Sequence, residues 1–362
     1  RPLVVLGAGA RQHTARVGAL IDALGVPFLT TPRAKGIVSE EHPLSLRNGG
    51  LAASWWARQY TAAGVDVALV LGTDLCDVDT GPTPPVAPGR ALVHVDVNPR
   101  VFHRGHRAAL PVIADLGDFA DALEALVSRE GLRNARGVAL AAEARARSPF
   151  DAPDFRDDAS PRITPQRAVA DLERAAGPRA RFVSDIGEHM LAALHYLTAT
   201  TPDRFTIHLG LGSMTSGIAS SIGVALADPS RRVVCICGDG GVQMSSMEVL
   251  VAARERLPIV FAVFNDARYN MVHHGYRELY GADAAWEMPV VDMVAWAASA
   301  GVPGARIDGP GEITAALLDG LTRSGPCVLD VRIDREVRVR GAGRNEALAR
   351  MSLPATQAEG AL

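Results

Sequence analysis

Short apolar runs alternate along the chain with longer segments whose apolar residues recur at helical spacing. In the first part of the chain the runs have the length of buried β-strands, and they cover residues 3–6, 26–30, 67–71 and 91–95. Helical patterns follow them, at about residues 11–24, 51–63 and 118–127. This alternation of strand and helix predicts a parallel sheet with helices on both faces.

The same rhythm returns in the second part of the chain. Strands are predicted at residues 181–184, 233–237, 259–264 and 328–333, with helices at about 188–197 and 216–227. The stretch between the two parts is rich in Ala, Arg, Asp and Pro and has no strand signal. The predicted fold class is therefore α/β, with two doubly wound, Rossmann-like parallel-sheet domains. The predicted boundaries are 1–130 for the first domain, 131–161 for a partly helical linker, 162–333 for the second domain and 334–362 for a C-terminal tail.

Composition excludes several classes of function. A net charge of −3 and a pI near 6.4 give no electrostatic basis for binding nucleic acid. No apolar run reaches the roughly 18 residues that a membrane span needs, and the first residues, Arg1-Pro2-Leu3, lack the pattern of a signal peptide. The four cysteines lack metal-site spacing, so we expect reduced core thiols in a cytoplasmic protein.

Two acidic residues follow neighbouring strands in the second part of the chain. Asp239 comes directly after one predicted strand and its glycine, and Asp266 closely follows the next strand. A right-handed crossover places two such strands side by side or one strand apart. Carboxylate oxygens suit Mg²⁺, and Gly240 and Gly241 let a bulky anion approach the backbone. The pattern predicts a metal-bridged diphosphate, and a plain Gly-Asp-Gly turn is the alternative.

Two more strand-to-helix turns belong to the same predicted sheet. The sequence "SDIGEH" covers residues 184–189, and "GLGSM" covers residues 210–214 and leads into a helix of small residues. In open α/β sheets, ligands bind beyond the carboxyl ends of the strands, where helix N-termini present backbone N–H groups. We therefore expect these turns to form one pocket with the acidic pair.

The order of these motifs resembles a known family. "SDIGEHM", "GLGSMTSGIASSIGVALA" and "GDGGVQMSSMEVLVAARERLPIVFAVFNDARYNMV" follow one another in the second part, and "RPLVVLGAGA", "TTPRAKGI", "VLGTDLCD" and "HVDVNPR" in the first. The Gly-Asp-Gly followed by Asn265-Asp266 is similar to the thiamine-diphosphate signature. The wider pattern is similar to the acetohydroxyacid synthase (acetolactate synthase) group over nearly the whole chain. The resemblance implies that residues 1–130 form that family's central domain and residues 162–333 its diphosphate-binding domain.

The resemblance also implies roles for single residues. Asp239, Asp266 and the backbone carbonyl of Arg268 would bind Mg²⁺. Met214 would hold the cofactor in its bent shape, and Met271 would line the substrate side. The full set implied to bind thiamine diphosphate is Gly187, Glu188, His189, Gly212, Ser213, Met214, Gly238, Asp239, Gly240, Gly241, Asp266, Arg268, Tyr269, Asn270 and Met271.

Several positions depart from the pattern of the family. Asp266 stands where the family usually has Asn, and Glu188 replaces the usual Gln of the synthases. Gly275 stands where the synthases have a Trp that helps to choose the second keto acid. Asp74 and Val78 stand where they have Arg residues near the flavin. We therefore expect thiamine diphosphate and Mg²⁺ as cofactors, regard FAD as doubtful, and expect an acceptor that differs from that of the synthases.

Two adjacent histidines, His273 and His274, follow Met271 on a predicted helix. One of them is a candidate acid or base for a carbonyl or hydroxyl oxygen of the substrate. The alternative is that they are surface residues of this helix. With Met271, they form the set of candidate catalytic residues.

The family's cofactor is activated by a Glu on an N-terminal pyrimidine-binding domain, which would precede Arg1. Three explanations stay open: a processed or truncated chain, a gene split with a partner subunit, or a protein that has lost catalysis. In the family, the pyrimidine-binding domain of one protomer faces the diphosphate-binding domain of another. We therefore expect a homo-oligomer (a dimer or tetramer), a separate pyrimidine-binding chain, or both.

The function that the resemblance implies is that of a thiamine-diphosphate- and Mg²⁺-dependent carboligase or 2-oxo acid decarboxylase. Its substrates would be pyruvate or a similar 2-oxo acid and a carbonyl acceptor, and its product an acyloin. One alternative is a non-catalytic or regulatory homologue that keeps the fold. Another is a flavin- or nicotinamide-dependent oxidoreductase, for which the glycine fingerprint that begins at Gly7 and Gly9 is incomplete, since Gln12 takes the place of its last glycine.

Overall fold

The computed structural model describes residues 1–81, 91–245 and 247–340. Within these ranges the chain divides into two compact units. Unit 1 consists of Arg1–Asp151 and Thr198–Asp203, and unit 2 consists of Ala152–Leu197 and Arg204–Arg340. Each unit contains one six-stranded sheet. Most of the predicted tail, residues 341–362, lies outside the described residues, and the predicted domain boundaries stay predictions.

Unit 1 is built on a parallel sheet in the order β3-β2-β1-β4-β5-β6. Its strands are β1 (Pro2–Leu6), β2 (Phe28–Thr30), β3 (Ser45–Asn48), β4 (Val67–Leu71), β5 (Ala91–Asp96) and β6 (Leu110–Ile113). Its helices are α1 (Thr14–Leu24), α2 (Trp55–Ala62), α3 (Asp77–Thr80), α4 (Leu116–Glu130) and α5 (Gly137–Ala144). The strands β3 and β6 were not among the predicted strands, because β3 has a single apolar residue, Leu46, and β6 is interrupted by Pro111.

Unit 2 repeats this architecture in the order β11-β12-β10-β9-β7-β8, again all parallel. Its strands are β7 (Arg181–Ser184), β8 (Phe205–Ile207), β9 (Val233–Gly238), β10 (Ile259–Phe264), β11 (Gly304–Ile307) and β12 (Cys327–Val331). Its helices are α6 (Pro165–Ala176), α7 (Glu188–Tyr196), α8 (Ser216–Ala227), α9 (Asp239–Met244), α10 (Glu248–Arg254), α11 (Asn270–Tyr280), α12 (Met293–Ser299) and α13 (Ala315–Leu321). The prediction of two doubly wound α/β domains is confirmed.

The central strands β10 and β12 of unit 2 are buried along their whole length, and their apolar composition made them predictable. All six residues of β10 and all five of β12 are buried, so these strands are continuous apolar runs with the single exception of Asp330. Parallel strands covered by helices on both faces have this composition. Cys235 and Cys237 on β9 are fully buried free thiols, in agreement with the expectation of core cysteines.

Part of the segment that was predicted to be a linker folds onto the first sheet. Helix α5 lies within it, and Leu140 and Ala144 are buried in the same apolar cluster as Tyr60 of α2. The chain therefore first passes from unit 1 to unit 2 at residues 151–152. Within the ranges that the structure describes, no helix is long and apolar enough to cross a membrane.

Candidate functional site

The sheet of unit 2 brings the candidate metal ligands to one edge. Strands β9 and β10 are direct neighbours, and Phe264 lies opposite Gly238 at the last paired position. Asp239 is the first residue of α9, and Asp266 lies in the turn between β10 and α11. The two strands therefore lie side by side, one of the two arrangements that a right-handed crossover allows, and they end at the same level.

Asp239 links the two strand ends through its side chain. One carboxylate oxygen, Oδ1, accepts a hydrogen bond of 2.9 Å from its neighbour Gly240 N, and Oδ2 accepts one of 2.8 Å from Ala267 N. Asp266 turns back on its own loop, where its Oδ1 accepts a hydrogen bond of 3.1 Å from Arg268 N. Ala267 between them has a φ of 53°, a left-handed conformation that is uncommon for residues other than glycine.

Burial favours the protonated form of both carboxyl groups. Burial is the main cause that raises the pKa of Asp239 to about 6. Burial also raises the pKa of Asp266 to about 7, and the negative charge of Asp239 adds to the effect. Two carboxylates with nearby like charge and little solvent favour either a proton or a cation between them. This electrostatic demand is what a divalent metal ion would satisfy.

Asp185, which was not among the predicted site residues, organises the site. It is fully buried at the end of β7, where Oδ1 accepts a hydrogen bond of 2.9 Å from Gly217 N and Oδ2 one of 3.0 Å from Thr215 N. It therefore fixes the start of α8 against β7. The signal was its position directly after an apolar strand, in the motif that contains Gly187 and Glu188.

The glycines beside the acidic pair let other side chains pack directly against the backbone. A Cβ on Gly240 would lie 2.9 Å from Cε1 of Tyr269 and 3.2 Å from Cε of Met214, so these side chains pack against Gly240. A Cβ on Gly241 would lie 2.6 Å from Oδ2 of Asp185. The structure thus brings Met214 and Tyr269 to the glycine turn.

His189 lies near the end of β9, next to Gly238. A Cβ on Gly187 would meet the His189 ring at 2.6 Å, and one on Gly238 would meet it at 3.1 Å. The ring is only 6% exposed, and burial lowers its pKa, so the neutral imidazole is favoured. Its Nε2 has no hydrogen-bond partner among the described residues.

The two histidines of α11 are buried, which contradicts the alternative that they lie on the surface. Both are 6% exposed, and their ring centroids lie 5.4 Å apart. In the described part of the chain, neither nitrogen of His273 has a hydrogen-bond partner, nor has Nε2 of His274. Burial, followed by the charges of Arg338 and Arg268, lowers the pKa of His274 to about 4. Buried polar atoms without partners are rare in native proteins and often mark a ligand site.

The segment after β12 is tied to the start of α11. The Arg335 carbonyl accepts hydrogen bonds from Arg268 Nη2 at 3.1 Å and from Asn270 Nδ2 at 2.9 Å. Arg338 forms an ion pair of 2.7 Å with Glu278 and lies 4.0 Å from Glu188. The Arg338 charge therefore faces the carboxylate that stands in place of a neutral Gln.

Other predicted residues have less definite positions. Gly212 has a φ of 64°, and its neighbour Ser213 is exposed. No contact of either with the acidic pair is found among the described residues. Met271 is half-buried on the first turn of α11. The role of these three residues in cofactor binding stays a prediction.

The residues present fit a metal ion and a diphosphate. Asp239 and Asp266 supply carboxylate oxygens. The third predicted ligand, the Arg268 carbonyl, accepts no backbone hydrogen bond from any residue that the structure describes. Hard oxygen donors of this kind suit Mg²⁺, which usually keeps phosphate oxygens among its ligands. The partnerless imidazole nitrogens of His189, His273 and His274 offer hydrogen-bonding groups on α7 and α11, the helices that follow β7 and β10.

Comparison with protein-family models gives two matches that follow one another along the chain. Residues 1–123 match the central domain of thiamine pyrophosphate enzymes. Residues 185–331 match the C-terminal TPP-binding domain of the same enzymes. The second match begins at Asp185 and includes Asp239, Asp266 and both histidines of α11.

Several proteins with similar sequences are named as acetolactate synthase large subunits. A probable acetolactate synthase large subunit from Methanococcus aeolicus is 27% identical over 352 residues, which cover 92% of this chain and 58% of that protein. A putative acetolactate synthase large subunit from Mycobacterium tuberculosis is 30% identical over 346 residues, covering 93% and 60%. The acetolactate synthase isozyme 1 large subunit of Escherichia coli is 27% identical over 341 residues, covering 94% and 59%. The chain thus spans about 60% of the length of these relatives.

Proposed function

The chain belongs to the thiamine pyrophosphate enzyme family, and we propose that it carries the diphosphate-binding half of a Mg²⁺-dependent carboligase or 2-oxo acid decarboxylase. The observation that supports this most is the acidic pair. Asp239 bonds across two neighbouring strand ends, Asp266 lies at the second of these ends, and burial raises the pKa of both. A cation bound between the two carboxylates would balance their negative charges.

Three oxygen donors would hold the metal ion. They are the side chains of Asp239 and Asp266 and the main-chain carbonyl of Arg268. Gly240 and Gly241 would let the diphosphate approach the backbone, and Met214 would support the organic part of the cofactor next to Gly240. When bound, thiamine diphosphate supplies the electron sink that lets a 2-oxo acid lose CO₂.

The remaining side chains of the site would act on the substrate and on water. His273 and His274 are candidates for hydrogen bonds to a carbonyl or hydroxyl oxygen, and their burial keeps water away from that oxygen. Met271 would form part of the apolar wall on the same helix. The names of the relatives support acetolactate chemistry, but Gly275 leaves the wall without the large side chain of the synthases. We therefore propose pyruvate or a similar 2-oxo acid as the donor. We propose as the acceptor a carbonyl compound that differs from the acceptor of the acetolactate synthases.

We further propose that a pyrimidine-binding domain completes the site, either from another subunit or from elsewhere in the same protein. The greater length of the relatives supports this. Large apolar side chains also stand exposed beside the candidate site, with Leu211 at 97%, Met244 at 62% and Met247 at 66% exposure. Exposed apolar groups of this density are typical of a surface that another domain covers.

The alternative of a nicotinamide- or flavin-dependent oxidoreductase receives little support from unit 1. A dinucleotide would bind where the strand order reverses, between β1 and β4. The backbone itself fills this position. Gly9 N donates a hydrogen bond of 2.9 Å to Gly72 O, and a Cβ on Gly7 would lie only 2.2 Å from the same oxygen. The intact acidic pair likewise speaks against a homologue that has lost its ligand positions.

The proposal is tested by cofactor binding with and without the first metal ligand. Asp239→Ala should abolish Mg²⁺-dependent binding of thiamine diphosphate, measured by isothermal titration calorimetry, while the circular dichroism spectrum stays unchanged. Asp283→Ala removes an acid that is 72% exposed elsewhere in unit 2 and should bind like the wild type. Equal affinity of the two variants would reject the metal assignment.

The activity itself needs a separate measurement. The chain combined with a pyrimidine-binding domain, and supplemented with Mg²⁺ and thiamine diphosphate, should release CO₂ from at least one compound in a panel of 2-oxo acids. If the cofactor binds but no 2-oxo acid is decarboxylated and no acyloin is cleaved, a binding or regulatory role replaces the catalytic one.

A further inference from the structure

A second cavity lies at the same edge of the unit 2 sheet but beyond the ends of β10, β11 and β12. Its volume is about 470 Å³, which is within the range of small-molecule sites. Four arginines line it, and each comes from a different place: Arg162 before α6, Arg306 on β11, Arg332 after β12, and Arg335 three residues later. Such convergence is notable in a chain whose net charge is −3.

Two of these arginines are held in place by carboxylates. Arg332 donates from Nε and Nη2 to Asp330 Oδ2, at 3.1 Å and 2.8 Å. Arg306 donates from Nε to Asp308 Oδ1 at 2.9 Å, and its Nη2 lies at the same distance from that oxygen. In each case the Nη1 group makes none of these bonds. Anchored guanidinium groups lose little conformational freedom when they bind an anion.

The other two arginines have weaker attachments. Arg162 has no hydrogen-bond or ion-pair partner among the residues that the structure describes. The Nε of Arg335 lies 3.7 Å from Glu336, whose Oε1 also accepts a hydrogen bond from Arg268. Among the described residues, two acids line the cavity beside the four arginines, Asp266 and Asp308. Arg162 is the arginine whose charge no described carboxylate balances.

The cavity is distinct from the candidate cofactor site. Its lining includes none of the glycine turn, His189 or the two histidines of α11. The two sites share only the short loop that contains Asp266 and Ala267. Val290, Ile333 and Pro161 supply apolar wall beside the arginines, and the volume exceeds that of a bare phosphate.

We infer that this cavity binds a small organic dianion, such as a phosphate monoester or a dicarboxylate. Guanidinium groups recognise both through paired N–H···O bonds, and the apolar walls contact the carbon skeleton. Because the floor of the cavity contains Asp266, the bound anion would contact the loop that carries a proposed metal ligand. The inference goes beyond the proposed function and does not depend on it.

The test is direct binding of three probes at constant ionic strength: inorganic phosphate, glycerol 3-phosphate and malate. We expect saturable binding of glycerol 3-phosphate or malate by calorimetry, at one site per chain, and the stronger of the two identifies the ligand class. In the double variant Arg162→Ala/Arg306→Ala, that affinity should fall about tenfold or more (about 1.4 kcal/mol or more), since charge-assisted hydrogen bonds to the anion are lost. Both arginines are exposed, Arg306 by 61%, so the variant should fold.

The matched control is Arg254→Ala/Arg323→Ala, which removes two exposed arginines of unit 2 that do not line the cavity. It should bind the probe like the wild type. Equal loss in both double variants would mean a general effect of net charge and would overturn the inference. Absence of saturable binding would overturn it as well. Loss of anion binding in Asp239→Ala alone, with the cavity variant unaffected, would place the anion in the cofactor site instead.

Discussion

Asp239 and Asp266 show how position decides the chemistry of one residue type. Both are aspartates at strand ends. The two carboxylate oxygens of Asp239 accept hydrogen bonds from backbone N–H groups at both strand ends, whereas Asp266 accepts a hydrogen bond only from its own loop. The more heavily bonded group has the lower pKa of the two, about 6 against about 7. Hydrogen bonds to a carboxylate favour its charged form, which explains the order.

The acidic pair should make the stability of the metal-free protein depend on pH. Both pKa values are raised from 3.8, so the folded state binds more protons than the unfolded state between about pH 4 and pH 7. The free energy of unfolding should therefore fall as the pH rises through this window, on the order of a few kcal/mol for the pair. Urea unfolding at pH 5 and pH 8 in the presence of EDTA measures this difference.

Two comparisons make this prediction specific. Asp239→Asn/Asp266→Asn should flatten the pH dependence, because neither amide titrates. Mg²⁺ should restore stability to the wild type at pH 8, where the carboxylates can bind it. A slope that is the same in the wild type and in the double variant would contradict the predicted pKa shifts.

His274 should contribute to the rate rather than to folding. Its pKa of about 4 keeps it neutral at pH 7, and its buried Nε2 has no partner among the described residues. His274→Ala should lower the rate of CO₂ release about 100-fold while the melting temperature stays the same or rises, since a poorly satisfied buried ring is removed. His208→Ala, an exposed histidine of the same unit, is the control. Full activity of His274→Ala would exclude a role in the reaction.

At the scale of elements, the site depends on how closely α8 approaches β7. Gly217 near the start of α8 donates its N–H to Asp185, and a Cβ at this position would lie 2.4 Å from Cα of Asp185. The approach of helix and strand is therefore set by backbone and not by side chains. The small residues of "GLGSMTSGIASSIGVALA" serve this contact as well as any contact with the cofactor.

Two glycines of the same helix should respond in opposite ways to alanine. Gly217→Ala should destabilise unit 2 by about 1–3 kcal/mol, because backbone atoms must move to admit the methyl group. Gly223→Ala has no atom within 4 Å of the new Cβ and should stabilise the helix by about 0.5–1 kcal/mol. Thermal unfolding of both variants measures the two effects. A neutral Gly217→Ala would show that the helix can shift without cost.

At the scale of the whole molecule, each unit is a complete parallel sheet with its own core. The candidate metal and diphosphate groups all come from unit 2. In the family that the chain belongs to, an acid on a pyrimidine-binding domain activates the cofactor, which is why we propose such a domain as a further component.

This proposal predicts that binding and turnover can be separated. The 362-residue chain alone should bind Mg²⁺ and thiamine diphosphate weakly and release no CO₂ from pyruvate. Addition of a pyrimidine-binding domain, in trans or fused to the chain, should produce decarboxylation and tighter binding of the cofactor. Calorimetry and a CO₂ assay on the same preparations give both quantities. Full turnover by the chain alone would show that the missing acid is supplied from within it.

The sequence by itself determined the fold class, the family, and the position of Asp239 and Asp266 at the ends of two strands. Buried parallel strands are continuous apolar runs, and a right-handed crossover leaves few places for the next strand, so β9 and β10 were predictable as neighbours or near neighbours. The short edge strands β3, β6, β8 and β11 were not among the predicted strands, because none of them is an uninterrupted apolar run. The tertiary structure alone decided the buried position of His273 and His274, the two hydrogen bonds of Asp185 to α8, and the convergence of four arginines on one cavity. These features depend on contacts between residues far apart in the chain, and local patterns of polarity carry no information about such contacts.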